Sequence, residues 1–302
     1  MTWFYLTILA VIFQVQRNLL QKNLRSKLST VEASWARVFF VLPLLLIVLA
    51  YLVTIRRDFF VNIDPIFYLY CFGTGIAQIL ATLCLVELFS RKNFSIGVSY
   101  TKTDTIQTAI LASIFLSESL PAMGIFAVIM AFVGVVLLNS VDYSKGGLLK
   151  KVFHKNALLG LGSGFFLSIT TIFMKKATLM VNTQQGDKVL SVIIVFIIYI
   201  GMQNIAYIFY ESYKNRLSET VSNMLSQWKK VSLVSFFSML GTMCWIGAFL
   251  LQKVAYVKLV AQIEVLISLI ISHKLLKEKN LKGEVVGMFL LVASVALVLF
   301  VK

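Results

Sequence analysis

Charged side chains interrupt apolar stretches of the chain at two places, where they could bind ions or polar solutes. Lys102 and Asp104 lie in the stretch between Val98 and Ile114, and Glu264 lies in a later one. A charge at the centre of a membrane helix costs about 2.5 to 3.5 kcal/mol on insertion scales, so it normally faces a partner or a wet cavity. The pattern therefore predicts a polar site inside a bundle of membrane helices.

Lys102 and Asp104 cannot pair across their own helix. A separation of two residues turns a helix by about 200°, so the two side chains lie on different faces and need different partners. Asp104 shares its face with Tyr100 and Gln107. For Lys102 two interpretations stand: its long stem reaches the lipid headgroups, or its ammonium lines a cavity and meets Glu264 or an anionic group of a substrate.

Asp104 and Glu264 are 160 residues apart and occupy matching places in two similar parts of the chain. One interpretation is that Asp104 only joins helices through a hydrogen bond to Thr101 or Thr108. The other is that both carboxylates face one cavity, where burial disfavours their charged form and lets them exchange a proton or a cation. We expect the second, with Asp104 and Glu264 as a coupling pair for protons or cations.

Other side chains extend the predicted substrate site. Arg37 lies a few residues inside its apolar run, where it contacts a substrate or anchors the helix end with Glu32. Gln262 occupies the place that matches Lys102, and Trp245 forms a wall for substrate stacking or packs between helices. The predicted substrate contacts are Lys102, Tyr100, Arg37, Gln107, Gln262 and Trp245.

The composition indicates a protein that crosses the lipid bilayer many times. Of 302 residues, 59% are hydrophobic and 14% are charged, whereas soluble domains carry about 25% charged residues. The net charge of +15 comes from Lys and Arg in short connections between apolar runs, which is typical of topology signals and headgroup contacts. This distribution does not indicate a nucleic acid partner.

Apolar runs predict ten membrane-spanning helices, because a bilayer core about 30 Å thick needs about 20 residues per helix. The predicted spans are 2–20, 33–54, 66–89, 95–117, 121–139, 156–174, 189–210, 231–251, 258–276 and 282–301. The polar linker 142–155 separates a first repeat, 1–141, from a second repeat, 156–302. Each predicted repeat contains five spans.

The two halves resemble each other at an offset of 160 residues, at which Glu118 matches Glu278 and Cys84 matches Cys244. Because five is an odd number, the second copy enters the membrane in the opposite orientation. The predicted fold is therefore an all-α membrane protein with ten transmembrane helices in two inverted five-helix repeats. The odd-numbered connections carry most of the cations, which by the positive-inside rule puts both termini outside.

Short motifs near the span ends point to a known family. Arg37 stands near the start of the second span with Phe39 close by, and the fourth and ninth spans close with Glu118 and Glu278. With the five-plus-five organisation, they resemble the EamA-type transporters of the drug/metabolite transporter superfamily. Ser117 and Lys277 stand where that family often carries a glycine before the glutamate. The resemblance implies a transporter of the bacterial inner membrane with cytoplasmic termini, which conflicts with the loop charges.

Three functions fit these features. The first is secondary active transport of a small polar metabolite, such as an amino acid, another zwitterion or an organic ion, by alternating access in efflux or exchange, with proton coupling through the carboxylates. The second is a lipid-carrier flippase. The third, a membrane-embedded transferase, fits least, because His154 and His273 lie in or near connections without metal-ligand spacing. We expect no catalytic residue, metal or cofactor, and both a monomer and a homodimer stay open.

Overall fold

The computed structural model describes most of the chain, and the described part is helical. The described residues are 2–55, 63–91, 94–118, 120–139, 155–181, 188–277, 289–290, 292–294 and 296–297. The helices are α1 (Thr2–Leu24), α2 (Thr30–Trp35), α3 (Val41–Ile55), α4 (Pro65–Arg91), α5 (Phe94–Thr101), α6 (Asp104–Phe115), α7 (Ala122–Asn139), α8 (Lys155–Met180), α9 (Lys188–Tyr213), α10 (Leu217–Ser226), α11 (Trp228–Leu251), α12 (Val254–Val260) and α13 (Ile263–Lys274). Within these ranges there is no β-strand, which confirms the all-α prediction for them.

Six described segments are long and apolar enough to cross a membrane. They are Thr2–Leu24, Pro65–Arg91, Leu158–Met180, Lys188–Tyr213, Trp228–Leu251 and Val254–Lys274. In hydrocarbon every backbone N–H and C=O must bond within its own segment, which is why such runs fold as helices. Shorter apolar helices, Asp104–Phe115 and Ala122–Ala131, belong to the fourth and fifth predicted spans. Most of 282–301 and of the linker 142–155 lies outside the described residues, so the count of ten spans stays a prediction.

The chain forms two compact units. The first comprises Met1–Ile79 and Phe173–Leu251, and the second comprises Leu80–Ile172 and Gln252–Lys302. Each unit therefore contains parts of both predicted repeats. The repeat boundaries stay a prediction, since a sequence repeat need not be a compact unit.

In the first unit the helical backbone is interrupted between α2 and α3, inside the second predicted span. The interruption leaves carbonyl groups without their usual helical partners, and side chains of other helices bind two of them. The Asn204 Nδ2 donates to the Val38 carbonyl at 3.2 Å, and the Ser235 hydroxyl donates to the Ala36 carbonyl at 2.7 Å. Asn204 and Ser235 therefore donate the hydrogen bonds that these buried carbonyl groups cannot obtain from apolar surroundings.

In the second unit the fourth predicted span and the apolar segment Val254–Lys274, which contains most of the ninth, are each broken inside the apolar run. The helix α5 ends at Thr101 and α6 begins at Asp104, while α12 ends at Val260 and α13 begins at Ile263. Half-helices that end inside the apolar part of a bundle direct their partly charged ends at its interior. The breaks coincide with the charged residues that the sequence singled out.

The helices α6 and α13 are each followed by a residue in the left-handed conformation. Ser117 has φ 52° and Lys277 has φ 53°, and these residues are separated by the same 160 positions as the predicted repeat. Glycine adopts this conformation without steric cost, which gives a physical reason for the glycine of EamA-type proteins there. Directly after Ser117, the Glu118 Oε2 accepts a hydrogen bond from the Val254 N–H at 2.9 Å, which fixes the start of α12. Glu278 lies outside the described residues.

An apolar cluster holds α7 against both halves of the broken ninth span. Its buried members are Ala127, Val128 and Ala131 on α7, Leu259 on α12, and Val265 and Leu269 on α13. Because the cluster touches residues on either side of the break, packing of α7 fixes α12 and α13 together.

Candidate functional site

Four charged side chains meet where the two broken spans of the second unit come together. Lys102 follows α5, Asp104 begins α6, Lys258 lies in the last turn of α12, and Glu264 is the second residue of α13. They are 6%, 2%, 8% and 1% exposed, respectively. At this depth each charge needs a partner, because desolvation of an unpaired ion is expensive.

The four side chains form two ion pairs that cross from one broken span to the other. The Lys258 ammonium donates to the Asp104 Oδ2 at 2.7 Å, and the Lys102 ammonium donates to the Glu264 Oε2. With all four groups ionised, the two lysines and the two carboxylates balance, so this charged cluster has no net charge.

The ends of the half-helices favour this distribution of charge. Asp104 and Glu264 lie in the first turns of α6 and α13, where the helix dipole is positive, and Lys258 lies in the last turn of α12, where it is negative. Lys102 follows directly on the last residue of α5. Charges of the favourable sign at such ends gain about 0.3 to 1 kcal/mol each, which a continuous helix would not provide at mid-span.

A polar frame joins the two ion pairs. The Gln262 Nε2 donates to the Thr105 hydroxyl and to the Lys102 carbonyl at 3.4 Å. The Thr105 hydroxyl donates to the Asp104 Oδ1 at 3.3 Å. Gln262 lies in the break between α12 and α13, so its amide bridges one break to the other. Gln262 and Lys102, which match at the offset of 160 residues, are therefore in contact.

The helix α8 packs against the break between α5 and α6 through a glycine. A Cβ atom on Gly164 would lie 2.8 Å from the Thr103 Oγ1, 3.0 Å from the Thr101 carbonyl oxygen and 3.2 Å from the Asp104 backbone nitrogen. One turn further along α8, the Ser168 hydroxyl donates to the Asp104 carbonyl at 3.0 Å. Only glycine allows α8 this close, and the close approach places Ser168 on the backbone at the break.

Three buried oxygen atoms around the cluster have no hydrogen-bond partner among the described residues. They are the Gln107 Oε1, the Thr108 Oγ1 and the Gln262 Oε1. A buried polar atom without a partner costs about 1 to 3 kcal/mol, so three such atoms, two on α6 after Asp104 and one in the break before α13, are a feature that packing alone does not explain. These atoms can accept hydrogen bonds from a polar ligand.

The structure decides between the alternatives for Lys102 and Asp104 at the level of contacts. Lys102 is buried against Glu264, which is one of the partners expected if its ammonium lines a cavity. A lysine that reached the lipid headgroups would instead be exposed. Asp104 bonds to Lys258 and Thr105 and not through the threonines that the sequence suggested. The two charges do find different partners, on α13 and α12, which are halves of a single predicted span.

The remaining predicted contacts fall elsewhere or outside the described side chains. Arg37 belongs to the first unit, where its Nε donates to the Ser238 hydroxyl at 3.1 Å. Trp245, also of the first unit, donates to the Gln14 Oε1 at 2.9 Å, as expected of packing between helices. Tyr100 lies in α5, and its side chain is not among those described.

Sequence reasoning missed Lys258 and Gly164. Lys258 was the first residue of the span predicted at 258–276, where a lysine is an ordinary end anchor, but α12 begins earlier, at Val254. A signal was available, because the apolar residues Val254, Ala255 and Val257 precede Lys258 and place it inside an apolar run. No comparable signal marks Gly164, since apolar helices contain many glycines and only the neighbouring break distinguishes this one.

Comparison with known proteins gives a family and a fold. A family model described as the EamA-like transporter family matches residues 1–140 and 154–300. No curated protein matches the chain. The chain is also similar to a protein of known crystal structure, with 11% sequence identity and a TM-score of 0.61, over 97% of this chain and 99% of that one. At such low identity the structural similarity concerns the fold alone.

Proposed function

Because the chain belongs to the EamA-like transporter family, within the drug/metabolite transporter superfamily, we propose that it is a secondary transporter that moves a small zwitterion by alternating access. Members of this family are integral membrane proteins that carry small molecules across the lipid bilayer, and they are transporters rather than enzymes. The zwitterionic substrate, the mechanism, the operation in efflux or exchange and the bacterial inner membrane are our proposals.

The observation that carries the proposal is the pair of broken helices with a charged cluster between them. Discontinuous helices supply the substrate and ion sites of many secondary transporters, because half-helix ends and freed backbone groups bind charge. Here the two breaks bring together Lys102, Asp104, Lys258 and Glu264. Both breaks fall inside apolar segments, the fourth predicted span and Val254–Lys274, as expected for a site inside the membrane.

The charge of the cluster favours a ligand that is itself neutral overall. A net anion or a net cation would add an unbalanced charge to a buried site, at a cost of several kcal/mol. A zwitterion has a carboxylate for a lysine and an ammonium for a carboxylate, so the site remains balanced. An amino acid or a similar small molecule meets this requirement.

We assign the roles within the site as follows. Lys102, Gln107 and Gln262 contact the substrate, and Asp104 and Glu264 couple its movement to protons or cations. Tyr100, Arg37 and Trp245 stay predicted contacts. The matched left-handed residues Ser117 and Lys277 agree with an inverted repeat, which we propose as the basis of alternating access.

Transport by the full-length protein in proteoliposomes tests the proposal. Labelled amino acids, organic cations and organic anions are supplied with and without a pH gradient. We expect movement of zwitterions, and we expect Asp104→Asn and Glu264→Gln each to slow it at least about tenfold or to abolish its response to the gradient, measured per folded molecule. Glu211→Gln is the matched control, because Glu211 is a buried glutamate of the first unit that bonds to Thr220.

Two results would contradict the proposal. If transport and its response to pH survive both substitutions, the carboxylates are structural. If no solute moves but a fluorescent lipid-linked sugar crosses the bilayer, the protein is a flippase.

A further inference from the structure

The two ion pairs of the charged cluster differ in how completely their groups are bonded. Both carboxylate oxygens of Asp104 have partners, Lys258 on one and Thr105 on the other. Its backbone carbonyl accepts the Ser168 hydroxyl. Asp104 is therefore held at three points, and Lys258 closes a link between α6 and α12 that needs nothing more.

The Lys102 side of the cluster is less complete. An ammonium has three N–H donors, and among the described residues its hydrogen-bond acceptor is Glu264. Beside it stands Gln262, 1% exposed, which uses its Nε2 on Thr105 and the Lys102 carbonyl while its Oε1 lacks a partner. Spare donors on a buried lysine and a spare acceptor on the adjacent glutamine thus occur together.

These two deficits are of opposite kinds. The lysine can still donate, as to a carboxylate, and the glutamine oxygen can still accept, as from an ammonium. A zwitterion satisfies both at once and replaces the bond that Lys102 and Glu264 make to each other. The carboxylate and the ammonium of the zwitterion give Lys102 and Glu264 new partners of opposite charge. Separation of Lys102 from Glu264 without such a ligand would leave two buried ions unpaired.

Resting on the proposed function, we infer that substrate opens the Lys102–Glu264 pair and inserts between its two members, while the Lys258–Asp104 pair stays closed. The substrate carboxylate binds the Lys102 ammonium. The substrate ammonium binds the Glu264 carboxylate and the Gln262 Oε1. Lys258 and Asp104 position the half-helices and do not contact the substrate, so Glu264 alone of the two matching carboxylates binds it.

Charge-capped ligands test this inference on the purified full-length protein. The probes are the standard amino acids, together with their N-acetyl derivatives, which lack the ammonium, and their amides, which lack the carboxylate. Binding is measured by thermal shift and by equilibrium dialysis of labelled ligand. For the wild-type protein we expect the tightest-binding amino acid to exceed both of its capped forms by at least about 30-fold.

Two substitutions should change the ranking in opposite directions. Glu264→Gln removes the acceptor of the ammonium, so the N-acetyl form should bind at least as well as the parent amino acid. Lys102→Gln removes the donor to the carboxylate, so the amide should bind at least as well as the parent. Asp104→Asn should weaken all three forms by a similar factor and leave their order unchanged.

Matched controls come from the first unit. Lys176 is a lysine within α8 that donates to the Tyr70 hydroxyl at 3.4 Å, and Glu211 is a buried glutamate of α9. Lys176→Gln and Glu211→Gln should keep the wild-type order of the three forms. They separate a loss of one particular charge from a general effect of replacing Lys or Glu by Gln.

The inference is overturned if no amino acid binds, if the capped forms bind as tightly as the parent, or if Asp104→Asn reverses the order instead of Glu264→Gln. Transport in proteoliposomes distinguishes these results from failure of the proposed function. Movement of an organic cation or anion without binding of zwitterions would leave the protein a transporter and refute the zwitterionic substrate together with the insertion, whereas movement of zwitterions with an unchanged ranking in the Lys102 and Glu264 variants would refute only the insertion. Absence of any solute movement would refute the transporter proposal itself.

Discussion

Replacement of Lys258 by methionine removes one member of a buried ion pair and keeps most of the side-chain volume. Asp104, 2% exposed, would then keep a charge without its partner at 2.7 Å. Removing one partner of a buried pair destabilises a protein by about 3 to 5 kcal/mol. Asp104 retains the Thr105 hydroxyl and its place in the first turn of α6, which offset up to about 1 kcal/mol. We expect Lys258→Met to lower the free energy of unfolding by about 2 to 4 kcal/mol.

A second substitution separates the ion pair from local packing. In the double variant Lys258→Met with Asp104→Asn no buried charge is left alone, and the amide can still accept from Thr105. Uncharged replacements of buried ion pairs are often close to neutral, so the double variant should recover at least half of the loss. The difference between the double variant and the sum of the single ones gives the coupling energy of the pair.

Unfolding of the full-length protein in mixed micelles of rising SDS fraction measures these energies, followed by fluorescence of its four tryptophans. Lys176→Met, which removes a lysine of the first unit, serves as the control. A loss below about 0.5 kcal/mol for Lys258→Met, or a double variant whose loss equals the sum of the singles, would refute the reasoning, because the pair would then be solvated rather than buried.

Two further predictions concern backbone that the structure constrains. Gly164→Ala should destabilise the protein by about 1 to 3 kcal/mol, since the new methyl group would lie 2.8 Å from the Thr103 Oγ1. The control is Gly162→Ala, whose Cβ would meet only the Cys84 Sγ at 4.0 Å and which should be neutral or stabilising. Equal effects of the two substitutions in SDS unfolding would contradict the close approach of α8. Ser117→Gly should stabilise the protein by about 1 kcal/mol, because φ is 52° there; an unchanged or lower unfolding midpoint would show that the left-handed conformation is not strained.

The helical membrane fold and the polar site were predictable because both depend on residue type. Apolar runs in lipid must form helices, and a lysine in such a run needs a partner, which limited Lys102 to a headgroup, a ligand or an acid such as Glu264. The position of a helix break is different. Apolar residues flank the breaks after Thr101 and Val260 on both sides, so hydropathy does not indicate where the backbone hydrogen bonds stop.

The missed break also explains the missed lysine. With the ninth span drawn as one helix from 258, Lys258 lay at its edge and Glu264 inside, and their joint relation to Lys102 and Asp104 was hidden. The half-helix α12, which begins at Val254, brings Lys258 to a C-terminal end. That Lys258 was overlooked is a consequence of the boundary, and boundaries are the least certain part of such predictions.

The breaks and the charges explain each other. In an unbroken helix a lysine and a carboxylate at mid-span would gain nothing from the helix dipole, and their desolvation would have to be offset by the partner alone. A break provides a C-terminal end for each lysine and an N-terminal end for each acid, and Gln262 and Ser168 bind the backbone carbonyls of Lys102 and Asp104 beside it. A site assembled in this way contains ions whose stability depends on pairing, and a ligand that offers both charges can take the place of one partner without leaving the other alone. On the proposed function, selection for such a ligand follows from the charge balance of the cluster and not from its shape.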